Sequence, residues 1–152
     1  MQRVILFFAT GGYVGYFPVA SGTVGSLVAI PLFLLSADLQ RTAPFFTVLA
    51  LVLLVFAACW IAGKAETILR EHDSHAIVLD EIVGYLAATA FLPASWPYAI
   101  VAFLIFRIFD VVKPFPAGRI DASMPGGYGV VLDDVVSGIY ANLATRIVFS
   151  VF

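Results

Sequence analysis

The sequence predicts an all-α, polytopic membrane helical bundle with about 4–5 hydrophobic helices, built as a single domain over residues 1–152. Three observations carry this. Hydrophobic residues make up 62% of the chain and charged residues only 12%, against roughly 25% charged in soluble domains. Mean hydropathy is +1.03, so a soluble form would lack polar surface. The apolar runs are divided by short breaks rich in proline, glycine or charge, at intervals suited to one compact domain.

Each element follows from its residues. Met1 to Ala9 is a short apolar lead-in. Gly11 to Gly25 reads as a glycine-rich loop, with Pro18 and the turn formers Ser21, Gly22 and Thr23. Val24 to Leu35 is apolar but short and interrupted by Pro31, which fits a kinked or tilted helix. Ser36 to Pro44 is polar and turn-like. Phe45 to Gly63 carries no charge and is long enough to cross a hydrocarbon core of roughly 30 Å. The stretch KAETILREHDSH, Lys64 to His75, continues it as a solvated helical extension. Ile77 to Leu92 is apolar apart from Asp80 and Glu81. Pro93 to Pro97 is a break, and Tyr98 to Phe109 is apolar up to Arg107. Residues 111–128 read as a loop with Pro114, Pro116, Pro125, Gly118, Gly126 and Gly127. Val135 to Phe152 is a last apolar helix carrying only Arg146. The N-terminus has no signal-peptide pattern: Arg3 is its one basic residue, the apolar run is short, and no small-x-small site follows.

Basic residues set orientation. With spans near 24–37, 44–63, 79–92, 98–109 and 135–152, one face holds Arg3, Lys64, Arg70, Arg107, Lys113 and Arg119, and the other holds only Arg41. The positive-inside rule makes the first face cytoplasmic. The same face collects Asp73, Asp80, Glu81, Asp110, Asp121, Asp133, Asp134 and both glycine-rich loops. Acids do not set orientation, so their placement is an independent coincidence. A net charge of −2 gives nucleic acid nothing to hold. The single cysteine, Cys59, excludes an intrachain disulfide and reads as a small buried hydrophobe.

Carboxylates at the edge of a lipid core are costly and mark functional sites. Several of them without matching local cations suggest a divalent metal held by oxygen ligands. Asp80 and Glu81 open a helix, where the dipole alone would favour them. Gly84 one turn later, in an apolar helix, argues for a close approach as well. Arg107, Asp110 and Lys113 are spaced three apart and share a helix face. They read either as an ion-pair ladder or as a cation-holding Asp110 flanked by two phosphate ligands. Asp133 and Asp134 follow GGYG before the last helix. One could cap it, which leaves the second unexplained. Gly126 and Gly127 there, and Ser21, Gly22, Thr23 and Ser26 in PVASGTVGSL, offer loop groups to an anion, although neither stretch is a P-loop. His72 and His75 lack a third conventional zinc ligand.

In order and spacing, PVASGTVGSL, IVLDEIVG, FRIFDVVKPFP and GGYGVVLDDVVSGIYA resemble the phosphatidylglycerophosphatase A family from Pro18 to about Ala141. Ser21 and Ser74 stand where that family's pattern leads us to expect proline. The resemblance implies a bacterial inner-membrane, Mg²⁺-dependent phosphatase that converts phosphatidylglycerophosphate to phosphatidylglycerol and inorganic phosphate. It carries over Asp80, Glu81, Asp110, Lys113, Asp133 and Asp134 as acidic and basic motif positions. The expected metal ligands are Asp80, Glu81, Asp110, Asp133 and Asp134. The expected catalytic groups are Asp80 and Glu81, with Arg107 and Lys113 on phosphate oxygens. The patterns of histidine lipid phosphatases, DxDxT phosphatases and CDP-alcohol transferases are absent. The rival class is a cation transporter or channel using the same carboxylates. That class calls for acids near the midplane and repeated halves, and the sequence shows neither.

Overall fold

The computed structural model describes residues 1–151, and all regular structure among them is helical: α1 (Gln2–Ala9), a 3₁₀ turn (Val14–Tyr16), α2 (Ser21–Leu35), α3 (Ala37–Thr42), α4 (Pro44–Leu69), α5 (Leu79–Thr89), α6 (Trp96–Val112), α7 (Ala117–Ser123) and α8 (Gly127–Val151). Phe152, which the sequence placed at the end of the last helix, lies outside the described residues. The five longest helices, α2, α4, α5, α6 and α8, coincide with the five expected apolar segments. Of the described helices, only α4 is by itself long and apolar enough to cross a membrane.

Several boundaries differ from the sequence reading. The lead-in is a helix, and the glycine-rich loop ends at Ser21, where α2 begins. Pro31 sits inside α2 without ending it. The polar turn 36–44 contains α3. The charged extension of α4 stops at Leu69, because Arg70 takes a left-handed C-terminal conformation, φ 56°. The expected loop 111–128 holds α7, and α8 starts at Gly127. Asp133 and Asp134 therefore lie in its second turn, so neither caps the helix.

Helices α5 and α8 form the centre; α2, α4 and α6 surround α5, while α4, α6 and α7 pack on α8. One flank of α5 places Ile82, Tyr85 and Ala88 against Ala29, Ile30 and Phe33 of α2 and Ala99, Ala102 and Phe106 of α6. The other places Leu79 and Val83 against Ile5 and Ala9 of α1 and Ala58, Cys59, Ala62 and Ala65 of α4. The Tyr85 hydroxyl donates to Ala99 O at 2.9 Å, satisfying the one polar group of a fully buried ring. The α5–α8 crossing needs glycine on both sides. A Cβ on Gly138 would lie 2.2 Å from Gly84 O, and one on Gly84 would lie 2.9 Å from Asp134 O. This close crossing brings the acidic turn of α8 against the acidic first turn of α5.

Candidate active site

A cavity of about 660 Å³ opens at one end of the bundle. Its wall includes the 15–20 segment, Ser21 and Gly22 of α2, the 73–77 segment, Asp80 and Glu81 of α5, Arg107 and Asp110 of α6, Lys113, Asp121 of α7, and Val130, Asp133 and Asp134 of α8. The local sequence explains each position. The apolar neighbours Val78, Leu79, Ile82 and Val83 anchor α5 on both flanks, which buries Asp80 to 7% exposure. On α8, Val130, Asp134, Ser137 and Ala141 recur at helical spacing on the inward face. Asp133, one residue earlier, points about 100° round the helix, toward the end of α6.

Asp80, Glu81 and Asp134 each present an oxygen, and these oxygens lie within 4.8 Å of one another. The Asp110 carboxyl lies against that of Asp134. Asp80 Oδ1, Glu81 Oε2 and Asp133 Oδ1 are buried with no hydrogen-bond partner. An unsatisfied buried polar group costs about 1–3 kcal/mol, more when charged, and ionised neighbours also repel. A small hard cation removes both costs. Mg²⁺ binds oxygen at about 2.1 Å, so opposite ligands stand about 4.2 Å apart. The observed spread needs only slight closure, and the donor set is all oxygen. The residues fit such an ion. Gly22 makes room for the Glu81 carboxylate: a Cβ there would lie 2.0 Å from Glu81 Oε1.

Two cations face these acids. Arg107 Nη1 is 2.9 Å from Asp110 Oδ2 and 3.4 Å from Ser26 Oγ, and Ser26 itself donates to Gly22 O at 2.9 Å. Lys113 ends α6 in a left-handed conformation, φ 45°. Its Nζ is 2.7 Å from Asp133 Oδ2 and 3.0 Å from Asp121 Oδ2. Burial works against the Lys113 charge, but the hydrogen bonds it donates to Asp133 and Asp121 outweigh this and raise the ammonium above the ordinary lysine range.

The structure thus gathers Asp80, Glu81, Asp110, Asp133, Asp134, Arg107, Lys113, Ser21 and Gly22 around one cavity. Asp133 is turned to Lys113 and stands apart from the three grouped carboxylates. Thr23, Ser26, Gly126 and Gly127 are not in the cavity wall. Gly127 opens α8 against α4, where a Cβ would lie 2.2 Å from Cys59 O. Its role is close helix packing. Of the histidines, His72 pairs with Glu66, while His75 belongs to the wall, its carbonyl accepting from Ser21 Oγ at 2.6 Å. Sequence reasoning did not single out Asp73, Ser74 or Asp121 as wall residues. For the two aspartates the available signal was their place among the acids of one face; the Lys113–Asp121 contact is tertiary.

The chain matches the family Phosphatidylglycerophosphatase A over residues 7–149. It is 36% identical over 134 residues to a Haemophilus influenzae protein named phosphatidylglycerophosphatase A, covering 88% of this chain and 81% of that one. An Escherichia coli protein of the same name is 33% identical over 132 residues, covering 86% and 75%. A Bacteroides thetaiotaomicron protein named putative phosphatidylinositol-3-phosphatase is 40% identical over 141 residues, covering 87% and 85%. No solved structure matches the chain. With the motifs spread over four helices and the match running nearly end to end, the chain belongs to the phosphatidylglycerophosphatase A family.

Proposed function

We propose that this protein is a Mg²⁺-dependent lipid phosphatase that hydrolyses phosphatidylglycerophosphate to phosphatidylglycerol and inorganic phosphate. The observation that carries it is the set of buried, partnerless carboxylate oxygens facing Arg107 and Lys113 across one cavity. The names of the relatives converge on phosphate monoesters of lipid headgroups. A cation path would need acids distributed through the bundle, whereas these sit at one end.

Asp80, Glu81 and Asp134 would hold Mg²⁺, with Asp110 beside them. When bound, the ion supplies the positive charge and Lewis acidity that favour attack of water on phosphorus. Arg107 is already braced by Asp110 and Ser26, which leaves its remaining N–H groups for phosphate oxygens. Lys113 has three donors, two directed at carboxylates and one left for the phosphate. Both side chains stabilise charge on the non-bridging oxygens as the bond from phosphorus to the glycerol oxygen breaks. The water oxygen bonds to phosphorus and the glycerol oxygen leaves as an alcohol, taking up one proton. A carboxylate oxygen not engaged in holding the ion would accept the proton of the water, with Asp80 and Glu81 the first candidates.

The exposed side chains support membrane embedding. Trp96, Ile100, Leu104 and Ile108 form one stripe on α6, and Ile139, Leu143, Ile147 and Val151 another on α8. On α4, Val52, Leu53, Phe56 and Trp60 are exposed too. Faces of this size are unstable in water and ordinary in hydrocarbon. At 1.5 Å per residue α4 and α8 reach nearly 40 Å and α6 about 26 Å, whereas α5 reaches about 16 Å and does not cross alone. The distribution of basic residues supports a cavity on the cytoplasmic side of a bacterial inner membrane.

Phosphate release from phosphatidylglycerophosphate in mixed micelles tests the reaction. Exhaustive chelation with EDTA should abolish it and Mg²⁺ should restore it. Full release after chelation would remove the metal. Release from phosphatidylinositol 3-phosphate alone would move the substrate to that headgroup. For orientation, a cysteine at Ser123, with Cys59 replaced, should react with a membrane-impermeant thiol reagent only from the cytoplasmic side. Labelling of intact spheroplasts would reverse the topology.

A further inference from the structure

The segment that precedes α2 supplies none of the groups assigned to the chemistry, yet its surface is unusual. No charged residue occurs from Val4 to Leu35, although this stretch includes one edge of the cavity. Phe7, Phe8, Tyr13, Tyr16 and Phe17 are all between 44% and 55% exposed. Their rings form a run: Phe7 lies 5.5 Å from Phe8 and from Tyr13, and Tyr13 stacks on Tyr16 at 6.3 Å.

This segment is held firmly. Val78 N donates to Ala9 O and Gly15 N to Thr10 O, both at 2.9 Å, and Tyr13 N donates to Thr10 Oγ1 at 3.0 Å. Gly15 backs onto the 73–77 wall so closely that a Cβ would lie 1.9 Å from Ala76 O. Tyr13 adopts φ 73° directly after two glycines, a left-handed conformation that costs a tyrosine energy. The run then continues into the cavity wall through Phe17, Pro18 and Ala20.

We infer that Phe7 to Phe17 is a fixed aromatic anchor for the headgroup layer of a lipid leaflet, and that it forms the lip over which a lipid headgroup reaches the cavity. Rings with an apolar body and a phenol hydroxyl suit the boundary between hydrocarbon and headgroups. A charged protein partner would find nothing here to pair with. Helix α1 has eight residues, about 12 Å of helix, so the segment stays at one face of the bilayer. The lip rests on the lipid phosphatase reading; the anchor does not.

Two measurements test the proposal. In the full chain with Trp60→Phe and Trp96→Phe, a Tyr16→Trp probe is reconstituted into vesicles of brominated phosphatidylcholine. Bromines near the carbonyl end of the acyl chains should quench it more than bromines near the methyl end, and aqueous iodide should quench it little. Strong iodide quenching without lipid quenching, or strongest quenching from the methyl end, overturns the anchor. The second measurement uses the Tyr13→Ser/Tyr16→Ser double variant. Its phosphate release from long-chain substrate in vesicles should fall about tenfold, the equivalent of one buried ring, while release from a water-soluble short-chain analogue is unchanged. Equal loss on both substrates, or no loss on either, overturns the lip. If the unaltered protein releases phosphate from neither, the phosphatase reading falls and the lip with it, and the depth measurement still decides the anchor.

Discussion

The two ends of the bundle handle buried polar atoms in opposite ways. At the end away from the cavity, polar side chains complete the backbone. Asn142 Nδ2 donates to Ala88 O and Ala90 O, both at 2.9 Å. Arg146 Nη2 donates to Ala90 O and Phe91 O, and Gln40 Oε1 accepts from Phe91 N. The Asn142 and Arg146 contacts supply donors to carbonyls at and beyond the C-terminus of α5, which has no further turn to satisfy them, and Gln40 supplies an acceptor to the N–H that follows. At the cavity end, the N-terminus of the same helix carries Asp80 and Glu81 with oxygens that have no partner. One end of α5 is finished by the protein itself; the other keeps buried carboxylate oxygens without a protein partner. The difference supports the cavity end as the candidate site, because polar atoms already matched within the fold have less to offer a ligand than unmatched ones.

The most severe way to break this comparison is to neutralise the open end. Asp80→Asn, Asp110→Asn and Asp134→Asn should each lower phosphate release by more than about 10²-fold while the protein stays folded. Asparagine keeps the shape and any capping ability, so near-normal turnover in all three at saturating Mg²⁺ would discard the carboxylate site. Gly22→Ala sharpens the point without touching a carboxylate. The added methyl must displace Glu81 Oε1, the end of a flexible chain. Activity should drop about tenfold or more with the unfolding temperature in detergent nearly constant; wild-type activity would show that Glu81 need not stay where it is. The smallest effect belongs to the closed end. Asn142→Ala strips Ala88 O of its donor and should cost about 1–2 kcal/mol of stability, with turnover per folded molecule unchanged. A loss of turnover larger than the loss of folded protein would mean that the two ends are coupled.

Much of this was legible beforehand because it depends on composition and period. Long uncharged runs require hydrocarbon or a core, so the five main helices could be placed. The three-residue spacing of Arg107 and Asp110 put them on one face, and they pair. Short helices were missed for a physical reason. Segments as short as α1, α3 and α7 have little intrinsic stability and form here through tertiary packing. The GGYG stretch reads as a loop because glycine in a helix is unfavourable alone; Gly127 nonetheless opens α8, at a point where α4 lies too close for any side chain.

The sequence alone determined an all-helical chain with lipid-compatible faces and a supply of acids collected at one end. Which acids meet was a matter for the tertiary structure. Asp133 and Asp134 are equivalent by composition, yet they project about 100° apart on the helix. The Gly84–Gly138 crossing sets the rotation of α8, sending Asp134 to Asp80 and Glu81 and Asp133 to Lys113. A helical period can be read along one chain, but its phase is set only by the surface on which the helix comes to rest.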